Sequence, residues 1–461
     1  MSLIRFLVAA LVLFFLFFRL GQPPVFEYDE ARNGINAVEM LEHGHWRGLW
    51  FANEPDTWVN KPPLFTWILA GSFSILGYNT LALRIPSALA MLGALFFVYL
   101  LGRRYYGEVF AIMACLVLLS VKGLVGHHTG RTGDFDALLI FFLMANSYFF
   151  MRFFSGGKEW NLTLASLLLA GAFMTKGPAM AVLLPGQAIF LALTGAYKDL
   201  NWKLLVRQLL LFSIIPLIWL VFINEDQAPG RLISYDILER FSDTGFETPQ
   251  NPSQFSFFIV CMDAYFNLWN YVLYGLLAVV SFFPKKAGFS WNWKDNPLLV
   301  YSLACWLSLG LLLSLAATTH RWYFSPALPF VAITMVFLLR KMAKHKLVWV
   351  LFGALLLFTL SRRALEIARD AGPLPPMIER ARPFLEQAER VFYVGSLPSQ
   401  RDLLYLYFIE PQLICLACAE ELPELRKGDA AVAVRNDTIY SLTPTSANIL
   451  PVSPFSFRCE K

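Results

Sequence analysis

Residues 3–34, LIRFLVAALVLFFLFFRLGQPPVFEYDEARNG, join an apolar run to three clustered acids, Glu27, Asp29 and Glu30. The run over 3–20 approaches the roughly 20 residues that a helix needs to cross a bilayer. No small-residue cleavage site follows the run, so we expect an uncleaved membrane anchor rather than a signal peptide. The acids then stand directly after a membrane span, which raises the question of what they do there.

The composition indicates a chain that is solvated mostly by lipid. Of its 461 residues, 57% are hydrophobic and 15% are charged, whereas about 25% of the residues in a typical soluble domain are charged. The net charge is +5 without a basic tract, so we expect no nucleic-acid partner. Six cysteines in a chain of this length do not indicate a disulfide framework.

Apolar runs of transmembrane length recur along the chain. We predict eleven spans, at 3–20, 84–101, 109–126, 136–153, 160–175, 178–195, 204–223, 257–283, 297–317, 324–340 and 347–361. The run 62–76 is shorter and begins with two prolines, so we expect it to lie at the interface or to re-enter the membrane. The predicted fold is an all-α polytopic membrane protein with about eleven transmembrane helices.

The distribution of lysine and arginine sets the expected orientation. If 62–76 does not cross, these residues collect on one face, and the positive-inside rule places that face and the N-terminus in the cytoplasm. The large first loop, 21–83, then lies on the outer face. If 62–76 crossed, GRRYYG (102–107) and RKMAKHK (340–346) would move outward and the asymmetry would be lost.

The character of the sequence changes at residue 362, which divides a membrane domain (1–361) from a C-terminal domain (362–461). In the second part, VFYVG (391–395) and AVAVR (431–435) predict short strands, and SQRDLLYLYF (399–408) predicts a helix between them. We expect a small soluble α/β domain on the outer face.

Three cysteines lie in this predicted domain. Cys415 and Cys418 form a C-x-x-C pair, and Cys459 lies near the end of the chain. An oxidising outer compartment would favour one disulfide among them, and the sequence does not decide which. A redox or zinc role would need further ligands, which we do not find.

Ionisable residues of both signs lie at or near the ends of apolar segments on the predicted outer face. They are Asp29, Lys61, Arg84, Arg131, Asp136, Lys176 and Arg321. Taken singly, each is explained as a solvated surface charge. Charges at these positions are costly unless they are paired or used, and the mixture of signs on one side favours a shared site.

A sugar donor held on a lipid phosphate suits such a site. A carboxylate can take the proton of the acceptor hydroxyl, and lysine or arginine can stabilise the departing phosphate. Because phosphate is a good leaving group, no second carboxylic acid is needed. One catalytic carboxylate and a cradle of cations would suffice.

Four motifs in order resemble the GT-C integral-membrane glycosyltransferases, most closely the bacterial branch of lipid A aminoarabinose transferases and protein O-mannosyltransferase-like enzymes. They are YDEARNGINAVEMLEHGHW (28–46), NKPPLFTWILAGSFSILGYNTLALRIPSAL (60–89), GRTGDFDALLIFF (130–142) and MTKGPAM (174–180). The resemblance covers about residues 1–190, and HRWYFSPALP (320–329) fits it more loosely.

The resemblance implies a function and a location. A GT-C enzyme of this branch transfers a sugar from a polyprenyl-phosphate-linked donor to lipid A, a glycan, another lipid or a protein, with inversion in a single displacement. The implied location is the bacterial inner membrane, with the active site and the C-terminal domain facing the periplasm or exterior. The implied partners are the donor, the acceptor and the bilayer.

The resemblance also implies roles for individual residues. Asp29 and Glu30 are the candidate catalytic carboxylates, with Asp29 as the base. Glu30 and Arg32 would shape its surroundings. Lys61 and Arg84 would bind the donor phosphate or order the first loop. The full set of substrate-binding candidates is Arg32, Lys61, Arg84, Arg131, Asp134, Asp136, Lys176, His320, Arg321 and Tyr323. Within it, Arg131 and Asp136 match the R…D of the second outer loop, with Asp134 competing for the acidic role.

One position departs from the family pattern. Aminoarabinose transferases carry a metal-associated glutamate just before the K-P pair, and Asn60 stands there in this chain. We therefore expect no required cofactor, although a divalent metal is possible with His127, His128 or His320 as ligands. The aminoarabinose donor is in doubt for the same reason.

Two other functions compete with glycosyl transfer. A polytopic transporter or flippase of lipids or sugars would place polar groups near the bilayer midplane, often in repeated halves. Here the charges collect at one surface, apart from Lys122 and Asp263, which lie towards the outer ends of their spans. A scaffold or sensor built around the C-terminal domain would leave the acids of the first loop unexplained.

Overall fold

The computed structural model describes most of the chain. The described residues are 2–56, 61–126, 128–222, 254–282, 295–315, 320–342, 346–370, 372–375, 378–379, 382, 385–394, 399–416, 429–435 and 438–442. The long loop predicted at 224–254 therefore lies almost entirely outside the described residues, as do His127, Asn60, Cys418 and Cys459.

Fifteen α-helices make up most of the described chain. In order they are α1 (Ser2–Phe17), α2 (Asp29–His43), α3 (Leu64–Leu76), α4 (Thr80–Tyr106), α5 (Glu108–Ser120), α6 (Phe135–Phe153), α7 (Trp160–Lys176), α8 (Leu184–Thr194), α9 (Trp202–Phe222), α10 (Gln254–Phe266), α11 (Trp269–Phe282), α12 (Pro297–Leu315), α13 (Leu328–Met342), α14 (Lys346–Arg369) and α15 (Gln400–Ile409). Two 3₁₀ helices of seven residues, Gly177–Leu183 and Arg321–Ala327, lead into α8 and α13.

The chain divides into two compact units. The membrane unit consists of Met1–Phe18, Asn60–Phe65 and Ser87–Arg369. The loop–tail unit consists of Arg19–Val59, Thr66–Pro86 and Asp370–Lys461. Most of the first loop thus shares a unit with the C-terminal segment.

The predicted all-α polytopic fold is confirmed. Within the described ranges, seven helical stretches are long and apolar enough to cross a membrane: Thr80–Tyr106, Phe135–Phe153, Trp160–Thr194, Trp202–Val221, Pro297–Leu315, Arg321–Met342 and Lys346–Arg369. Four shorter apolar helices, α1, α3, α5 and α11, accompany them. At 13 residues, α3 is about 20 Å long, which is less than the roughly 30 Å hydrocarbon core.

The structure differs from three of the predicted spans. The runs 160–175 and 178–195 form one helical stretch, because a 3₁₀ turn joins α7 to α8 without an intervening loop. The run 257–283 is divided into α10 and α11, since Asn267 adopts a left-handed φ of 53° that an α-helix cannot continue through.

Close approach and buried polar contacts join the helices of the membrane unit. A Cβ atom on Gly186 of α8 would lie 2.5 Å from the Cα atom of Cys305 on α12, so only glycine fits there. Nearby, Gln187 Nε2 donates to Asn146 Oδ1 at 2.7 Å, and Tyr301 Oη donates to Ser147 Oγ at 2.9 Å. Small residues and interhelical hydrogen bonds are the usual means of packing helices within a bilayer.

A four-stranded sheet forms the C-terminal part of the loop–tail unit. Its strands are β3 (Arg390–Val394), β4 (Ile414–Leu416), β5 (Asp429–Arg435) and β6 (Thr438–Leu442), in the order β4-β3-β5-β6. β3 pairs in parallel with β4 and β5, and β5 pairs with β6 in antiparallel. The predicted strand–helix–strand pattern is confirmed, with α15 as the helix. A short hairpin of β1 (Trp50–Phe51) and β2 (Glu54–Pro55) completes the unit.

Helix α2 of the first loop packs on α15 of the tail within this unit. Gly34 lies so close that an added Cβ atom would stand 2.6 Å from a methyl carbon of Leu404. Tyr407 Oη donates to Glu39 Oε1 at 2.5 Å, and both side chains are buried. Burial raises the pKa of the Tyr407 hydroxyl well above its ordinary value, so the group remains a donor.

Candidate functional site

Asp29 is the first residue of α2 and is partly exposed. Tyr28 before it has a left-handed φ of 67°. This conformation is strained for a residue with a side chain, and such strain collects at functional sites. A carboxylate in the first turn also lies near the positive end of the helix dipole.

Glu30 and Arg84 form a buried bidentate ion pair beside Asp29 in the sequence. Arg84 Nε donates to Glu30 Oε1 at 2.7 Å, and Nη2 donates to Oε2 at 2.8 Å. The backbone N–H of Phe26 donates to the same carboxylate at 2.8 Å. These bonds hold the segment that precedes Asp29, and the role of Glu30 as a second catalytic carboxylate stays a prediction.

The remaining N–H groups of Arg84 bind backbone carbonyls. Nη1 donates to the carbonyls of Leu20 and Pro23 at 3.1 and 2.9 Å, and Nη2 donates to that of Pro24 at 2.9 Å. With the two bonds to Glu30, all five guanidinium donors are used. The sequence left two roles open for Arg84, and this geometry supports ordering of the first loop over binding of donor phosphate.

Arg32 has a similar structural role one turn further along α2. Its Nε and Nη2 atoms donate to the two carboxylate oxygens of Asp56 at 2.8 and 2.5 Å. Asn36 Nδ2 donates to the same Asp56 carboxylate at 3.0 Å and to the carbonyl of Trp50 at 2.6 Å. These contacts tie the β1–β2 hairpin and the residue after it to α2, and substrate binding by Arg32 stays a prediction.

The second polar cluster lies in the membrane unit and starts from the loop before α6. His128 Nδ1 lies 2.6 Å from Asp134 Oδ2, and both residues are buried. The imidazole of His128 stacks on the indole of Trp322, with ring centroids 4.0 Å apart and planes 13° apart. Asp134 also begins α6 by accepting from the N–H of Phe135 at 2.7 Å.

Asp136 and Lys176 form a buried ion pair in the same unit. Lys176 Nζ lies 2.5 Å from Asp136 Oδ1 and 5.2 Å from the centre of the Tyr323 ring. Among the described residues, Asp136 Oδ2 has no hydrogen-bond partner. Buried charged pairs rarely add net stability, and buried ionisable groups in membrane proteins usually mark functional sites.

Arg131 binds the end of α1 within the membrane unit. Its Nη1 atom donates to the carbonyls of Phe15 and Leu16 at 3.0 and 3.3 Å, and Nη2 donates to that of Phe18 at 2.9 Å. These carbonyls are at the helix C-terminus, where no intrahelical donor is available. These contacts join the second loop to α1, and substrate binding by Arg131 stays a prediction.

The other predicted residues are placed as follows. Lys61 is partly buried directly before two buried prolines, 62–63. His320 is partly buried, and its ring stacks on Trp322 at 4.3 Å. Arg321 is exposed and acts electrostatically on Tyr265, as does Asp136. The structure therefore brings Asp134, Asp136, Lys176, His320, Arg321 and Tyr323 to one end of the membrane unit.

Comparison with known proteins agrees with these motifs and this fold. Residues 60–220 match the family described as dolichyl-phosphate-mannose-protein mannosyltransferase. The fold matches the crystal structure of ArnT from Cupriavidus metallidurans bound to undecaprenyl phosphate, with a TM-score of 0.69 and 16% identity, over 93% of this chain and 92% of that one. The chain therefore has the polytopic GT-C membrane fold, and part of its sequence is similar to that of GT-C glycosyltransferases. The resemblance inferred from the sequence is thereby confirmed.

Two curated relatives match parts of this GT-C chain. The putative mannosyltransferase YycA of Bacillus subtilis is 30% identical over 176 residues, which is 38% of this chain and 25% of that protein. The undecaprenyl phosphate-α-4-amino-4-deoxy-L-arabinose arabinosyl transferase of Pseudomonas paraeruginosa is 24% identical over 318 residues, 67% of this chain and 54% of the enzyme. The chain thus spans about half or less of the length of these relatives.

Three residues, His128, Trp322 and Glu27, make contacts that the sequence did not predict. From the sequence, His128 is only a candidate metal ligand, although a carboxylate six positions later on the same loop, Asp134, could have indicated a pair. Trp322 stands beside Arg321 and was not selected. Glu27, one of the three clustered acids, accepts with its Oε1 atom from the N–H of Gln400 at 2.6 Å, at the start of α15.

The membrane unit offers two groups that commonly bind a divalent metal, His128 and Asp134. Imidazole nitrogen and carboxylate oxygen are both ordinary ligands of such ions. Their 2.6 Å contact is a hydrogen bond, so an ion would have to replace it. These two residues would supply part of a coordination shell.

Proposed function

We propose that this GT-C chain transfers a sugar from a polyprenyl-phosphate-linked donor to an acceptor at the outer face of the bacterial inner membrane. The acceptor would be lipid A, another lipid, a glycan or a protein, and the sugar a hexose or a pentose. The family supports the reaction class, and the relatives' names include both mannosyl and aminoarabinosyl transfer. A lipid or sugar transporter is the alternative, but no contact among the described residues favours it.

The observation that carries the proposal is the different use of two adjacent acids. Glu30 is buried and held by Arg84, whereas Asp29 is partly exposed at the start of a buried helix. In the proposed reaction the Asp29 carboxylate takes the proton of the acceptor hydroxyl while the hydroxyl oxygen bonds to the anomeric carbon. The bond from that carbon to the phosphate oxygen breaks with its electron pair, so the configuration inverts.

The cations of the membrane unit would act on the leaving phosphate. Lys61 and Arg321 are candidates because both are at least partly exposed, and a positive charge stabilises the negative charge that develops on the leaving group. Lys176 would have a different role, since its charge is already balanced by Asp136 at 2.5 Å. We propose that this pair fixes the end of α7 against α6.

The test is sugar transfer by purified protein from a panel of polyprenyl-phosphate sugars, with NMR of the anomeric configuration of the product. Asp29→Asn should reduce turnover on the order of 10²-fold or more, the usual scale for a general base, without changing the unfolding transition. Glu54→Gln, which removes an exposed carboxylate from the same loop, is the matched control and should transfer normally. Near-normal transfer by Asp29→Asn, or a retained configuration, would contradict the mechanism.

A further inference from the structure

An apolar groove lies between α1, α4 and α5 of the membrane unit and includes none of the candidate site residues. Its volume is about 350 Å³, which is within the usual range for ligand-binding pockets. Most of its lining is apolar, with Val8 and Val12 from α1 and Leu95 and Phe96 from α4. Its size and apolar lining suit a hydrocarbon chain.

Polar groups of the lining gather at one end of this groove. Arg5 and Tyr99 belong to the lining. Arg5 forms a two-point contact with Glu108, in which the Nη2–Oε2 distance is 2.7 Å. Arg103 acts on this carboxylate electrostatically. Arg104 follows in the last turn of α4.

The charge at this end is positive. The opposite charges of Arg5 and Glu108 cancel, so the two positive charges of Arg103 and Arg104 remain. Both of these arginine side chains are exposed. Arg103 acts on the Glu108 carboxylate that binds Arg5 of the lining, and Arg104 follows Arg103 at the same end of α4. The two arginines offer a site for a phosphate, and the groove offers a site for the chain attached to it. Guanidinium groups bind phosphate through two parallel N–H bonds.

We propose that the groove binds an anionic phospholipid, with an acyl chain between α1, α4 and α5 and the phosphate on Arg103 and Arg104. Basic pockets between transmembrane helices are recognised binding sites for anionic lipid headgroups. The charge favours an anionic lipid over a zwitterionic one. The ligand would be structural, because the groove shares no residue with the proposed reaction.

Native mass spectrometry of the full chain in detergent tests this assignment. The probes are phosphatidylglycerol and phosphatidylethanolamine with identical acyl chains. Each arginine near an anionic headgroup raises the affinity for the lipid about five-fold. With two arginines, we expect phosphatidylglycerol to bind on the order of 30-fold more tightly than phosphatidylethanolamine. The double variant Arg103→Ala/Arg104→Ala should lose this preference, whereas Ala9→Trp, which fills the groove, should weaken binding of both lipids.

The matched control is Arg207→Ala. Arg207 is an exposed arginine that pairs with Glu159 at 2.8 Å and does not line the groove, so its removal should leave the preference unchanged. Equal binding of the two lipids to the unmodified chain would overturn the proposal. So would displacement of bound phosphatidylglycerol by equimolar polyprenyl phosphate. If Ala9→Trp fails to fold, the double variant Arg103→Ala/Arg104→Ala still tests the proposal, because an unchanged preference for phosphatidylglycerol in that variant would overturn it.

Discussion

Replacement of Arg84 by methionine should destabilise the loop–tail unit by about 3–5 kcal/mol. Arg84 is fully buried, so its removal leaves the buried Glu30 carboxylate without its bidentate cation, while the Phe26 N–H still donates to it. Breaking a buried pair by removing one partner costs this amount, because a charge remains without compensation. The carbonyls of Leu20, Pro23 and Pro24 lose their donors as well, so the upper end of the range is expected.

A double-mutant cycle separates the ion pair from the loss of packing. Arg84→Met with Glu30→Gln leaves no buried charge, so the double variant should be more stable than the sum of the two single changes predicts. We expect an interaction energy of at least about 2 kcal/mol, near the upper part of the range measured for contacting residues. Arg207→Met removes an exposed pair and should change the free energy of unfolding by less than about 1 kcal/mol.

The assay is denaturant unfolding in detergent micelles, followed by tryptophan fluorescence, together with binding of polyprenyl phosphate. The expected result is a large loss of stability in Arg84→Met, with donor binding retained under conditions where the variant is folded. If Arg84→Met unfolded like the unmodified chain and bound polyprenyl phosphate more weakly, Arg84 would be a phosphate ligand. The role that we derive from its five donors would then be wrong.

Three further predictions concern packing and buried charge. Gly34→Val should lower the free energy of unfolding by about 1–3 kcal/mol, because α15 leaves no room for the added carbons. At Gly71 an added Cβ atom would meet nothing within 4 Å, so Gly71→Ala should leave the free energy of unfolding unchanged or raise it by up to about 1 kcal/mol in thermal melts. Tyr407→Phe should cost about 1–3 kcal/mol in the same melts, since its buried glutamate acceptor loses a donor; an unchanged melting temperature would contradict this. Lys176→Met should lower the free energy of unfolding by about 3–5 kcal/mol, and the double variant with Asp136→Asn should recover most of that stability. If the double variant also recovered sugar transfer, a functional role for the pair would be excluded.

The sequence predicted the elements whose local pattern was strong. The β-branched and aromatic residues of VFYVG (391–395) and the alternating valines of AVAVR (431–435) predicted strands that the structure contains. Helix α14 shows where such patterns mislead. The charged stretch after residue 361 indicated the end of a span, yet the helix continues to Arg369. Arg362 and Glu366, four residues apart, pair at 3.2 Å on its surface, and such pairs support a helix outside the apolar region.

The roles of the buried arginines could not be predicted from the sequence. A guanidinium that binds phosphate and one that binds carbonyl groups have the same requirement, which is a set of well-placed acceptors for its donors. Arg84 and Arg131 both lie near span ends, where either requirement can be met. Their acceptors come from residues 54 to 116 positions away, and tertiary structure alone decides which acceptors those are.

The three acids that follow the first apolar run therefore have separate functions, and this bears on how the tail contributes to the proposed reaction. Glu27 binds the start of α15, and Glu30 binds Arg84. Asp29 lies between them at the start of α2, whose later turns pack on α15 through Gly34 and bond to it through Glu39. A proton acceptor is effective only if its position is fixed to a fraction of an ångström. Because α2 is held on both sides of Asp29 by contacts within the loop–tail unit, the tail acts as the rigid support of the proposed base, even though none of its own residues is assigned to the chemistry.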